Sequence, residues 1–318
     1  MSKKQARETA ERKRKNRHLL LTAGLALGTL AVVLIVAYLT FFNGGGTART
    51  WHLDSAGLLA FSARPAIAAK VTPVEQTADW NLEKVSYESF GTDVYALLRV
   101  PAHVTRPPVV IVLPGATVNK EADAGMAKAL ASWGYATLTL DERGNSGETA
   151  GPNANDLDSG YAAFTGGGDP VQYEQVYDVL RGYDYLRTRQ DLDADSIAVL
   201  GESMGGRFGI VATALEPGLK AALAVSGGPY GLRGDSAQAS QFLKSIEPAG
   251  YLSKLPPRKL VMFHFTGDPI IPVTLARQLY DAAAQPKAWH EYNGTIHGIY
   301  SDVYAPDLHD ELRSVFGR

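Results

Sequence analysis

The 318-residue chain has no cysteine, which removes disulfides, thiol nucleophiles and thiolate metal ligands together. Other chemistries are missing too. No GxGxxG or phosphate loop follows an apolar run, so no nucleotide is expected. No His, Asp and Glu cluster has a metal-ligand spacing, so neither a metal nor another cofactor is expected. Charge of one sign is scarce overall, with a formal balance of -2, but it is unevenly spread. Residues 1–18 hold eight Lys and Arg against Glu8 and Glu11, which leaves the rest of the chain at -8. An acidic body repels phosphate, so a nucleic-acid partner is disfavoured.

The segment next to the basic tail accounts for it better. Residues 19–42 carry no charge over 24 positions. At about 1.5 Å per residue, a helix of that length crosses a bilayer with some tilt. A cleaved leader would have a shorter apolar core and an A-x-A site, whereas Asn43-Gly44-Gly45-Gly46 comes next in this chain. The reading is an uncleaved signal-anchor in the cell membrane. Lys and Arg hold the N-terminus on the cytoplasmic side, the remainder lies on the outer face, and Tyr38, Phe41 and Phe42 sit at the interface.

Residues 43–79 read as a linker and lead-in with no firm periodicity, either packing on the body or leading into it. From Trp80 the pattern sharpens. Residues 82–90 alternate, Gly91-Thr92-Asp93 turns, and 94–100 continue, which predicts an antiparallel hairpin. Apolar strands are then predicted at 109–113, 136–140, 197–200, 221–225, 260–265 and 289–292. Helices alternate with them at 121–133, from the Asp169-Pro170 pair onward, after Ser203, at 273–284 and at 307–316. The alternation implies an α/β domain over 80–318, mostly parallel in its sheet, with helices on both faces. With 45% hydrophobic residues, one domain of this size buries a substantial core.

In such a sheet the loops at the carboxyl ends of the strands meet at one edge. Three of them carry a hydroxyl, a carboxylate and an imidazole. Ser203 lies in Gly201-Glu-Ser-Met-Gly205 directly after a strand, a sharp turn that admits no bulk at either glycine. Asp268 follows a second strand, with Asp302 as the nearest alternative acid. His297 follows the last strand, whereas His264 and His290 lie inside strands and His18, His52, His103 and His309 follow no core strand.

With the order Ser, Asp, His, residues 80–318 resemble the α/β-hydrolase superfamily, nearest to its dienelactone-hydrolase and prolyl-oligopeptidase-like esterase branches. The matching pieces are Leu113-Pro-Gly-Ala116, Asp141-Glu-Arg-Gly-Asn-Ser-Gly147, the serine elbow, and the turns holding Asp268 and His297. Two positions depart: Pro114 stands where relatives often carry His, and Phe265 where the acid turn usually has Gly. The resemblance implies a Ser203-His297-Asp268 triad working through an acyl-enzyme. It also implies that the backbone N–H groups of Ala116 and Met204 form the oxyanion hole. The Asp141 to Gly147 segment is expected to be a structural turn.

The leading expectation is a membrane-anchored serine hydrolase of carboxylic esters, with a small-molecule ester or acyl compound as substrate. A peptidase or amidase of the oligopeptidase-like branch is the first alternative, though 43–79 cannot supply the large gating domain of those relatives. A noncatalytic binding protein that keeps the fold is the second. Loops 142–169 and 229–258 contain Tyr161, Phe164, Tyr230 and Phe242, which either line a partly apolar acyl pocket or pack the loops.

Overall fold

Short runs of Val, Ile, Leu and Ala form the centre of the molecule, because a strand covered on both faces has no polar side to keep. The computed structural model describes residues 49–318. The basic tail, the apolar stretch at 19–42 and residues 43–48 of the linker lie outside the described residues. Among the described residues, no helix is long and apolar enough to cross a membrane.

In chain order the strands are β1 Trp51–Leu53, β2 Leu59–Phe61, β3 Ala69–Gln76, β4 Trp80–Ser89, β5 Thr92–Pro101, β6 Val109–Leu113, β7 Ala136–Leu140, β8 Ile197–Glu202, β9 Ala221–Val225, β10 Lys259–Phe265 and β11 Lys287–Tyr292. The helices are α1 Ala124–Ser132, α2 Leu157–Thr165, α3 Val171–Thr188, α4 Met204–Leu215, α5 Ala237–Ile246, α6 Val273–Ala282 and α7 Ala305–Phe316, with a 3-10 turn at Pro248–Lys254.

Nine strands make one sheet in the order β11-β10-β9-β8-β6-β7-β5-β4-β3. The six from β11 to β7 are parallel, and β5, β4 and β3 join antiparallel. Strands β6 to β9 are buried along their whole length. Their side chains alternate between two cores, with Val109, Ile111 and Leu113 on one face of β6 and Val110 and Val112 on the other. Helices α3, α4, α5 and α6 cover the first face, and α1 and α7 the second. The predicted hairpin and every predicted strand are present.

Three boundaries differ from the sequence reading. The compact unit starts at Trp51 rather than at residue 80. Residues 51–79 supply β1 to β3, and Trp51 is wedged edge-on against Tyr173 with ring centroids 4.7 Å apart. Pro170 occupies the cap position of α3 itself, and Asp169 instead accepts the Trp51 indole N–H at 2.7 Å. The two long loops each hold a helix, α2 and α5, capped by Asp156 and Ser236, whose side chains accept the N–H of Ser159 and Ala239.

Strand β6 lies between β7 and β8, so the chain steps from β6 to β7 on one side and then crosses back to β8 on the other. Ligand crevices form at such a switch point, outside the carboxyl ends of the strands.

Candidate active site

Ser203 sits between β8 and α4 with φ 52° and ψ -111°. A non-glycine residue held there stores strain that the surroundings must impose. They do so by crowding. A Cβ on Gly201 would lie 2.3 Å from the backbone of Gly205, and one on Gly205 would lie 2.3 Å from the Leu113 carbonyl oxygen. Only bare backbone lets the helix start, the strand end and β6 pass this closely.

His297 lies in the turn between β11 and α7. Its Nε2 is 2.8 Å from Ser203 Oγ, and its Nδ1 is 2.8 and 2.9 Å from the two carboxylate oxygens of Asp268. The carboxylate accepts only a proton-bearing nitrogen, so Nδ1 carries the hydrogen and Nε2 presents a lone pair to the serine hydroxyl. The turn continues into Gly298 at φ 50°, where a Cβ would stand 3.2 Å from Ser203 Cβ.

Asp268 follows β10 and is buried. Its Oδ1 also accepts the N–H groups of Ile270 and Ile271, both at 2.9 Å. Burial pushes the carboxyl up, but the Ile271 N–H, the His297 side chain and the Ile270 N–H together hold it below the usual carboxylate range. Phe265, at the position that departs from the family turn, packs against Tyr292 and Tyr304 and leaves Asp268 in place. Asp302 is bonded instead to the Tyr300 hydroxyl at 3.2 Å.

The loop after β6 runs past the same point. A Cβ on Gly115 would be 3.6 Å from Ser203 Cβ. Among the described residues, no acceptor takes the N–H of Ala116 or of Met204. Both N–H groups, one next to Ser203 in the chain and one next to Gly115, are therefore free to donate, as holding an oxyanion requires. Among the described residues, no group of His, Asp and Glu has the arrangement of a metal site.

The family model for acetyl xylan esterase (AXE1) matches residues 63–230, more than half of the chain, including the β6 loop and the serine elbow. The chain belongs to the acetyl xylan esterase family. It is an ester-hydrolysing serine hydrolase of the α/β-hydrolase superfamily. Comparison with curated proteins finds no match.

Solved structures share the fold of this family member at low identity. Acetyl xylan esterase from Paenibacillus sp. R4 superposes with a TM-score of 0.68 at 20% identity, over 79% of this chain and 89% of that one. Acetyl xylan esterase 1 from Thermoanaerobacterium sp. JW/SL YS485 gives 0.63 at 13%, over 80% and 89%. Glucuronoyl esterase from Solibacter usitatus gives 0.61 at 15%, over 84% and 90%.

The four aromatic residues read from the loops fall into two groups in this esterase. Phe242 is 1% exposed, and its ring packs against Tyr161, Phe164 and Tyr173 at centroid distances of 5.9, 5.7 and 6.4 Å. Phe242, Tyr161 and Phe164 therefore fasten α2 and α5 to α3, with Phe242 buried among them. Tyr230 lies under the Arg207 guanidinium, 4.4 Å from its ring centroid, and its hydroxyl is buried without a partner.

Other polar residues near the site gave no sequence signal. Burial lifts Glu202, directly before Ser203, well above the carboxylate range, and Asp123 beside it adds to the rise. Burial likewise brings Asp123 up to about 7. One oxygen of each is unpartnered. His264, inside β10, is fully buried, with Nε2 2.9 Å from the Ile271 carbonyl oxygen and 3.6 Å from Asp268 Oδ2. A glutamate inside a GxSxG motif and a histidine inside a strand look ordinary in sequence, because only the fold buries them.

Proposed function

We propose that the chain is a membrane-anchored esterase that removes small acyl groups, acetyl foremost, from carbohydrate-like alcohols at the outer face of the cell membrane. The observation that carries the reading is the unbroken chain of bonds from Asp268 through His297 to Ser203 Oγ. Family membership supports the short acyl group, and so does the tight approach of Gly115 and Gly298 to Ser203. The 24 uncharged residues at 19–42 behind a basic tail support the anchor.

In the proposed reaction Ser203 Oγ attacks the carbonyl carbon of the ester while His297 Nε2 takes its proton. Asp268 holds the imidazole tautomer and stabilises the imidazolium. The carbonyl oxygen becomes an oxyanion that accepts the N–H groups of Ala116 and Met204. When the C–O bond breaks, His297 returns the proton to the departing alkoxide and an acyl-serine remains. Water then attacks that ester, losing a proton to His297, and the carboxylic acid leaves as Ser203 regains its hydrogen. No cofactor is consumed.

Ser203→Ala is expected to lower kcat on p-nitrophenyl acetate by roughly 10⁴–10⁶. Retention of most activity would place the nucleophile elsewhere. A rate series from acetyl to octanoyl esters should fall with chain length, and faster cleavage of aminoacyl amides than of acetate esters would favour a peptidase. Carbonate washing of membranes from cells making the full chain should leave it in the pellet. Its release into the wash would remove the anchor from the reading.

A further inference from the structure

Asn145 is fully buried and so does not touch substrate, yet three of its four side-chain hydrogen bonds go to the loop that follows β6. Its Oδ1 accepts the Thr117 N–H at 2.9 Å, and its Nδ2 donates to the carbonyl oxygens of Gly115 at 3.0 Å and Val118 at 3.2 Å. A third Nδ2 contact, at 3.3 Å, reaches Glu142 Oε2. An amide has one acceptor and two donors, and an N–H facing one end with two carbonyls facing the other fixes which end is which.

Backbone groups at 115, 117 and 118 are thereby held on both sides of Ala116, whose own N–H takes no acceptor. The loop does not relax into this shape unaided. Thr117 has φ 69°, a left-handed conformation that a β-branched residue avoids. The turn's own Val118 N–H to Gly115 O bond, at 3.1 Å, closes it from the other side.

The anchor itself is rigid. Asn145 belongs to the turn after β7, in which Asp141 accepts the N–H groups of Lys120, Glu148 and Thr149 and pairs with buried Lys120 Nζ at 3.2 Å. Arg143, two residues before Asn145, is clamped to Asp178 by bonds of 2.6 and 2.9 Å and donates to the Ser89 carbonyl.

We infer that Asn145 is a positioning residue that preorganises the oxyanion loop, aiming the Ala116 N–H at the oxygen on which charge develops. The inference rests on the assignment of Ser203 as nucleophile and Ala116 as oxyanion donor. A donor that must reorganise at the moment of reaction loses the advantage of preorganisation, so the cost falls on kcat rather than on substrate binding.

Asn145→Ala is expected to lower kcat on p-nitrophenyl acetate roughly 10- to 100-fold, less than outright loss of an oxyanion donor, with KM within about twofold. Inhibition by a boronic acid should weaken by about the same factor as kcat falls, because its tetrahedral adduct engages the same donors. The isosteric Asn145→Asp keeps the acceptor and the packing but loses the donors, and the same two deficits are expected. Rates are normalised to the folded fraction read by thermal melting. A folded variant of either kind with kcat and boronate affinity within twofold of the parent overturns the inference, as does failure of both to fold, which assigns Asn145 a purely structural role. Ser203→Ala in the same series separates the two readings. If it stays active, the nucleophile is wrong. If it is dead beside fully active Asn145 variants, only the positioning role is lost.

Discussion

Glu202 shows how far a residue's surroundings alter what its letter implies. It is a carboxyl group at the end of β8, directly before Ser203, with one buried oxygen unpartnered and Asp123 close by. Burial favours the neutral form of both acids. Above about pH 4, where an unfolded chain releases such protons, the folded protein keeps them. Stability therefore falls as pH rises, up to about 7 for Asp123, and the raised carboxyl of Glu202 adds to the fall. Glu202→Gln should flatten that slope and stabilise the protein at pH 8 by about 1.4 kcal/mol for each pKa unit of the rise it removes, with kcat changed less than about threefold. Urea titrations at pH 5 and pH 8 read both effects, and a variant less stable than the parent at pH 8 would mean that Glu202 is ionised. Ser203, Asp268 and His297 were legible because each directly follows a run recognisable as a strand. Asn145, Glu202 and His264 were not, since a buried group's role depends on partners that the chain brings from far away in sequence.

At the scale of elements, α2 and α5 are both insertions after sheet strands, and aromatic contacts fasten them together. Phe242 is the shared ring, meeting Tyr161, Phe164 and Tyr173, and Trp51 continues the cluster through Phe164 and Tyr173. A packing role and a substrate role make opposite demands on one mutant. Phe242→Ala should cost about 3–5 kcal/mol of stability, as large-to-small changes in a core do, and leave KM for p-nitrophenyl acetate within about twofold. Chemical denaturation and steady-state kinetics on the same sample measure both. A large rise in KM with little loss of stability would return Phe242 to the substrate pocket. The sequence showed that these two loops were long and aromatic. Whether aromatic rings line a cleft or fill a core is a matter of which elements close over them, and periodicity within a ten-residue helix does not carry that information.

For the whole molecule, the consequential boundary is the start of the folded unit. Residues 51–61 have no strong pattern of their own, yet Trp51, Leu58 and Leu59 are buried, Leu59 N–H bonds the Tyr251 hydroxyl at 2.8 Å, and Lys254 pairs with Asp54 at 2.8 Å. Arg64 adds bonds to Asp184 and Glu216. A protein lacking residues 1–48 should therefore fold and keep full esterase activity, whereas one lacking residues 1–79 should lose several kcal/mol through the exposed core beneath it and lose its edge strand β3. Circular dichroism melts of the two truncations decide this, and equal stability would show the lead-in to be dispensable. From β4 onward the sequence alone determined the strand order, every helix but α2 and α5, the sheet's parallel core and the three residues at its carboxyl edge, because apolar periodicity and position after a strand are local properties. Only the tertiary structure decided where the folded unit begins, which aromatics are core, and that a buried asparagine grips the loop after β6. Each of those depends on contacts between segments many residues apart, and their energies are set by burial that no single stretch of chain possesses by itself.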